Sequence, residues 1–413
     1  MHASSQRTIA RIPPAVGFWV VAAALFTLML AASAPSPLYV VYQARWGFST
    51  PLLTVVFAVY VVALLAALLT VGRLSDYLGR RPLLLASMAL EVVGMVAFLT
   101  AHGVGGLLVA RMIQGLATGA ATGTISATLV DLLPAGRARL GALINSAAPL
   151  TGLAAGALAS GLIVQYAPAP TTVVFAALAI AFALLTVVMV GLPETIERRP
   201  GALAALRPRL GVPRAARAQF VITAPILLAT WAMGGLYLSL GASLTAGVLG
   251  IHSHVVAGLV ISVLAGAGAL AGIWGSDRDP AQVMTVGSFL LIAGNVVTLL
   301  ALLGTSTTGF FVGTAISGLG FGAGFLGAFR SLVFLAEPDE RAGLFGAIYT
   351  VSYLGFSVLA VVAGLLAPEL GLQQTAIGYG VTVILLTLAA VLPRVVQSRA
   401  GQPAAMSGAG AAE

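Results

Sequence analysis

Neither cysteine nor lysine occurs anywhere in the 413 residues. Without cysteine there is no disulfide, no thiol nucleophile and no thiolate metal site. Charge of either sign is scarce. Asp, Glu, Lys and Arg together make up 8% of the chain, whereas a soluble domain carries about 25%. Histidine is limited to four residues. Two of them, His252 and His254, share one loop with no acid nearby, so no metal site is expected there. No apolar run contains a pair of acids, none holds a histidine beyond His254 at the edge of one, and no phosphate-binding loop occurs. The constellations that would mark an enzyme or a cofactor site are therefore missing.

Apolar residues are what the chain has in plenty, at 59%. With so little polar surface, the bilayer must be the solvent. Twelve apolar segments can be traced, at about 16–42, 52–71, 82–101, 104–128, 140–164, 171–192, 219–246, 254–275, 281–303, 308–332, 342–366 and 374–392. Each is close to the roughly 20 residues that a helix needs to cross a membrane. The expected fold is all-α and integral to the membrane, with twelve transmembrane helices. The first apolar segment is too long for a signal peptide and reads as a retained helix.

The one long polar connection is 193–218. It contains Glu194, Glu197 and six arginines, punctuated by prolines at 193, 200, 208 and 213. It divides the chain into a tail (1–15), a six-helix half (16–192), a linker (193–218), a second six-helix half (219–392) and a Gly/Ala/Ser-rich tail (393–413) expected to be disordered. The halves look like repeats. Ile113-Gln114-Gly115-Leu116 corresponds to Ile316-Ser317-Gly318-Leu319 at an offset of 203, and Pro134…Arg137 corresponds to Pro338…Arg341. Arginine sets the orientation. With the N-terminus inside, only Arg45 falls outside and only Arg111 falls within a span, a strong positive-inside signal. Both termini and the linker are then cytoplasmic. The net charge of +8 is spread along membrane-facing loops, which argues against a nucleic-acid partner.

Between the second and third apolar runs stands Gly72-Arg73-Leu74-Ser75-Asp76-Tyr77-Leu78-Gly79-Arg80-Arg81-Pro82. It resembles the signature loop between helices 2 and 3 of the major facilitator superfamily, a family of secondary transporters. Arg111-Met112-Ile113-Gln114-Gly115 is similar to that family's R-x-x-Q-G motif on helix 4. Asn145–Gly156 resembles the glycine/proline motif of its drug-antiporter branch, although Ala148 stands where that pattern has Gly before its Pro. The resemblance covers about residues 16–392. It implies two six-helix repeats with a substrate site near midplane between them. Gly272–Pro280 would be the shortened partner of the signature loop.

Within this frame Gly72, Asp76, Gly79, Arg80 and Asp131 are candidates for a conformational latch. Asp76–Arg80–Asp131 would form a charge cluster closing the cytoplasmic side; the alternative is a static turn that sets topology. Glu91 and Arg111 are the candidate coupling groups. Glu91 is an acid in a wholly apolar setting, suited to carry a proton, or else it is a structural partner of Arg111. Arg111 either orients a proton acceptor or an anionic group, or snorkels outward. Pro35 and Pro37 should bend the first helix. Ser36, Tyr39, Gln114, Thr118, Asn145, Trp231, Tyr237, Tyr349 and Tyr353 are the polar and aromatic candidates for a substrate cavity. The expected function is proton-coupled export of a lipophilic or amphipathic small molecule by alternating access, by a monomer in a bacterial inner membrane. Uptake of a sugar or organic metabolite is the alternative transport reading. A transporter-like sensor without flux is the reading outside transport.

Overall fold

The computed structural model describes residues 12–400 apart from 135, 209, 338 and 339. Arg7, Arg11, Arg209, Pro338 of the repeated loop and the tail from 401 onward lie outside the described residues. The described residues form helices and connections without strands: α1 (Pro14–Ser33), α2 (Pro35–Trp46), α3 (Thr50–Thr70), α4 (Ser75–Leu78), α5 (Arg80–Leu99), α6 (Val104–Asp131), α7 (Ala138–Tyr166), α8 (Pro170–Met189), α9 (Ala202–Ala205), α10 (Arg217–Gly247), α11 (His254–Gly275), α12 (Pro280–Leu303), α13 (Thr307–Val333), α14 (Arg341–Leu370) and α15 (Leu372–Ala400). Twelve spans are long and apolar enough to cross a membrane, α1 and α2 together making the first.

The break between α1 and α2 follows from proline. Pro35 and Pro37 have no N–H to give to the carbonyls four residues back, at Ala31 and Ser33. The chain turns at Ala34 and restarts as a helix at Pro35. At the other end, α15 runs from Leu372 to Ala400.

Packing repeats itself. In the first half α1 packs on α7, α3 on α6, and α5 on α6; in the second, α10 packs on α14, α11 on α13, and α12 on α13. The seams use matching glycines. A Cβ on Gly115 or Gly119 would run into the carbonyls of Tyr60 and Leu64, and one on Gly318 or Gly322 into those of Leu264 and Gly268. Gly152 against Phe26 and Gly355 against Leu228 repeat the pattern on the other seam. Small residues let membrane helices approach backbone to backbone.

The halves join through two equivalent pairs, α3 with α14 and α7 with α11. Their close approaches gather toward the face opposite the signature loop. Gly364 abuts Thr54, Gly258 abuts the carbonyl of Ala157, and the Ser262 hydroxyl donates to the Ala154 carbonyl at 2.6 Å.

Candidate functional site

The signature loop is held by its own charges. Arg80 Nη1 donates to Asp76 at 2.5 Å and to the Ser75 hydroxyl at 2.6 Å, while Arg80 Nε reaches Asp131 Oδ2 on α6 at 3.3 Å. The candidate latch residues Asp76, Arg80 and Asp131 are thus brought together. Gly79 has φ +105, a conformation that side chains rarely adopt, and a Cβ there would also collide with the Glu194 carboxylate. The Gly72 backbone faces Gly123 of α6.

The linker supplies partners that sequence reading missed. Glu194 Oε1 accepts from the Arg80 amide at 2.8 Å and Oε2 from the Arg81 amide at 3.3 Å, so a remote carboxylate caps the first turn of α5. The Thr195 hydroxyl donates to Asp131 at 2.8 Å, and the Arg199 amide bonds the Tyr77 carbonyl at 3.0 Å. Further on, the Gly211 amide meets the Gly343 carbonyl at 3.3 Å. The linker therefore runs as a strap from the signature loop to the start of α14. In the second half the counterpart loop is held differently: Arg330 Nη1 donates to the carbonyls of Gly275 and Arg278 at 2.9 and 3.1 Å.

The second constellation lies inside the first half and grows out of the proline break. Pro35 leaves the Ala31 carbonyl without a helical donor, and Gln114 Nε2 of α6 fills the vacancy at 2.9 Å. Gln114 Oε1 in turn accepts from Arg111 Nη1 at 2.8 Å, which also reaches the Ala32 carbonyl at 3.3 Å. Arg111 Nε donates to the Tyr39 hydroxyl at 2.8 Å, and Nη2 bonds the same oxygen. The guanidinium lies over the rings of Tyr60, Tyr39 and Phe98 at 5.1, 5.4 and 6.0 Å. Arg111 is 0% exposed, so it does not snorkel. Oxygen acceptors and ring faces replace its hydration.

Glu91 is also completely buried. Its Oε1 accepts from the Thr118 hydroxyl at 2.7 Å, while Oε2 has no hydrogen-bond partner. No ion pair with Arg111 occurs among the described residues; the two stay within electrostatic reach. Of the two readings of Glu91, the direct bridge to Arg111 is not formed, and each group has its own set of partners. The reason is that the Arg111 fork is already occupied by Tyr39, Gln114 and the Ala32 carbonyl. Tyr60 of α3, which sequence reading passed over, has its hydroxyl beside Thr118 and within reach of Glu91.

The third constellation is aromatic and lies mostly in the second half. Trp231 of α10 packs edge-on against Tyr353 at 4.7 Å and against Phe325 and Phe356 at 5.4 Å each. Tyr349 stacks on Tyr353 at 6.1 Å, and Phe329 and Phe345 extend the series along α13 and α14. Phe57 of the first half closes it against Phe356 at 5.0 Å. The Trp231 indole N–H has no partner.

Of the candidate cavity residues, Trp231, Tyr349 and Tyr353 come together in this cluster. Tyr39, Gln114 and Thr118 belong to the buried network around Arg111 and Glu91. The Ser36 hydroxyl is buried without a partner. Asn145 bonds back to the Gly141 carbonyl of its own helix at 3.2 Å. Tyr237 lies apart, its hydroxyl 2.8 Å from Thr314 and its ring stacked on Phe310. Thr314 occupies the position that corresponds to Arg111 at the repeat offset. The second half thus retains a tyrosine-to-helix contact there but no charge.

Comparison with known proteins agrees with this architecture. The crystal structure of human MFSD10 (TETRAN), described as an organic anion transporter, superposes with a TM-score of 0.65 over 92% of this chain and 100% of that one, at 16% identity. An MFS-type transporter from Penicillium rubens, paaT, is 29% identical over 117 residues, which are 28% of this chain; the matched region spans about a fifth of the relative's length (21%). The family model of the Major Facilitator Superfamily matches residues 21–294. That match runs from the first span into the ninth, on a fold built twice over, and the chain belongs to the Major Facilitator Superfamily, among multi-pass membrane transporters and not enzymes.

Proposed function

We propose that this protein exports lipophilic or amphipathic organic compounds in exchange for protons, as a monomer in a bacterial inner membrane, by rocking one six-helix half against the other. The carrying observation is the aromatic cluster around Trp231. Its half-buried rings sit where α10, α13 and α14 meet the first half through Phe57. Ring faces bind flat or greasy molecules and cations, and the free indole N–H and the tyrosine hydroxyls add a few polar contacts. A sugar site would call for more hydrogen-bonding groups than these walls carry.

Glu91 is the natural proton carrier in this reading, because one carboxylate oxygen is satisfied and the other is free in an enclosed setting. Arg111 holds the network in place. MFSD10 is described as an organic anion transporter, but here the Arg111 fork is filled by protein oxygens, so a substrate anion gains little from it. The arginine distribution supports cytoplasmic termini, with the signature loop and linker strap on that side as the latch.

The test is flux in proteoliposomes with an imposed pH gradient, against lipophilic cations, lipophilic anions and sugars. Gradient-driven movement of a lipophilic compound, lost in Glu91→Gln while exchange persists, is the expected result. Movement of sugars alone would overturn the substrate reading. Retained gradient-driven accumulation in Glu91→Gln would overturn the carrier assignment.

A further inference from the structure

Glu91 Oε2 has a neighbour in the same condition. Ser87, one turn nearer the signature loop on α5, is 2% exposed, and its hydroxyl also has no hydrogen-bond partner. Residues four apart share one face of a helix, with about 5–6 Å between their Cβ atoms. Two buried polar atoms thus stand unsatisfied on the face of α5 that meets α6 through Thr118. Leaving such groups without a partner is costly, and one water between them would serve both. The second half shows the same seam drawn tight. Gly94 faces the Gln114 amide as Gly294 faces that of Ser317, so α5 and α12 correspond at an offset of 200 (94 to 294), while α6 and α13 keep 203 (114 to 317). In that register Gly287, Gly324 and Gly327 answer to Ser87, Ala121 and Thr124, and Leu291 answers to Glu91. A Cβ on Gly287 would strike the Gly324 backbone, and one on Gly327 the Met284 backbone, so α12 and α13 touch main chain to main chain. In the first half side chains fill all three of those places. A Cβ on Gly94 would stand 3.5 Å from the Gln114 amide, an ordinary contact, where one on Gly294 would collide with the Ser317 amide. α5 is therefore held off α6, and the unsatisfied groups lie in the wider seam.

We propose that a water molecule bound between Ser87 and Glu91 passes the proton of Glu91 along the α5/α6 seam to and from the signature-loop side. The Oε2–H bond breaks as the water oxygen takes the proton, and the water hands one of its own protons onward, with the Ser87 oxygen accepting from it. Uptake runs the same steps in reverse. Beyond Ser87 the α6 wall supplies Thr124 and Thr128, both buried. Their hydroxyl protons go to the Ala120 and Thr124 carbonyls at 3.2 and 2.7 Å, which leaves their oxygens free to accept. One turn further is Asp131, bonded to Arg80 where the seam reaches the surface, with side chains 26% and 13% exposed. The distance from Glu91 to that end is on the order of 16 Å along α5. Charged neighbours do not compete for the water. α8, which also packs on α5, contains no ionisable group in Pro170–Met189. Arg111 lies two turns from Thr118 in the opposite direction, its fork taken up by Tyr39, Gln114 and the Ala32 carbonyl.

The proposal rests on Glu91 as proton carrier, and the experiment separates the two ideas. The full chain in liposomes is moved from light to heavy water at a pH where the carboxyl is protonated, and its infrared band is followed in time as deuterium replaces the proton. Glu91→Gln identifies the band by its loss. Ser87→Ala removes the hydroxyl, and Ser87→Thr keeps it. The expected result is exchange slowed about three- to tenfold in Ser87→Ala, the share of one hydrogen bond, and restored in Ser87→Thr. Thr124→Val cuts the seam further along and should slow exchange as well, which decides the matter where Ser87→Ala does not fold. Exchange at the wild-type rate in the folded variants overturns the water path and leaves Glu91 as carrier. Equal slowing in Ser87→Ala and Ser87→Thr marks a packing effect and overturns the path too. A Glu91→Gln protein that loses no carboxyl band overturns the carrier reading, and the proposal with it.

Discussion

Replacing Gln114 with leucine should destabilise the first half by an amount that depends on a proline in the neighbouring first span. The volumes are similar, so packing contributes little. Two bonds are lost. The first is the charge-assisted bond from Arg111 at 2.8 Å, a kind worth roughly 1.5–3 kcal/mol. The second is the donation to the Ala31 carbonyl at 2.9 Å, of a class that averages about 0.6 and reaches about 1.7 kcal/mol between membrane helices. Together they come to about 2–5 kcal/mol, a sizeable share of a total stability of about 5–15 kcal/mol. Pro35→Ala restores an N–H that can serve Ala31. In that background the cost of Gln114→Leu should fall by about 1 kcal/mol, while the Arg111 share remains. Reversible unfolding of the purified protein in detergent, measured for wild type, both single variants and the double variant, reads the coupling. Equal costs in both backgrounds would show that Gln114 is not there to serve the carbonyl that Pro35 leaves open.

The latch makes a second prediction: Asp76→Asn and Arg80→Ala should each keep the protein folded and slow transport severely, with the double variant losing less than the sum; full activity in well-expressed Asp76→Asn would leave the loop as a topological turn. Glu194→Gln should behave as a weaker version of Asp76→Asn, because the helix cap loses its charge but keeps a hydrogen-bonding group, and limited proteolysis of the linker should quicken. Gly119→Val and Gly322→Val should reduce the folded fraction comparably, since both drive side-chain atoms into a facing carbonyl at matching positions of the two halves; a large difference between them in a detergent thermal-stability assay would contradict equivalent seams. A periplasmic reporter fused at residue 205 should stay inactive, and activity there would reverse the orientation.

Much of the fold could be read from the chain because the signals were one-dimensional. Span length, loop arginines and the offset of 203 between Ile113-Gln114-Gly115 and Ile316-Ser317-Gly318 need no knowledge of which way a side chain points. Asp76 and Arg80 could be grouped because the loop motif holds both, and Asp131 joined them through the resemblance to the family fold. Partner choice inside the bilayer could not. Helices as uniformly apolar as α3 or α8 give no face to read, so Tyr60 looked like one more ring in an apolar run. A pairing of Glu91 with Arg111 stayed open beside proton carriage because they were the two charges within the spans. The structure separates them because Tyr39, brought inward by the break at Ala34, reaches Arg111 first. Glu194 and Thr195 lay in a segment that read as spacer, and only folding shows that the chain turns back over Arg80. Asn145 and Tyr237 were grouped with the cavity residues by polarity, yet each spends its hydrogen bonds within its own half.

Thr314 stands where the repeat would have put a second Arg111, and in the proposed reading this asymmetry divides labour between the two copies. The buried polar groups Arg111, Glu91 and Thr118 are all in the first copy, while most of the rings around Trp231 are in the second. A transporter arranged this way can change its cargo through substitutions at Trp231, Phe325, Tyr349 or Tyr353 while its energy source stays untouched. In the proposed reading one copy then holds the coupling groups and leaves the other free to vary.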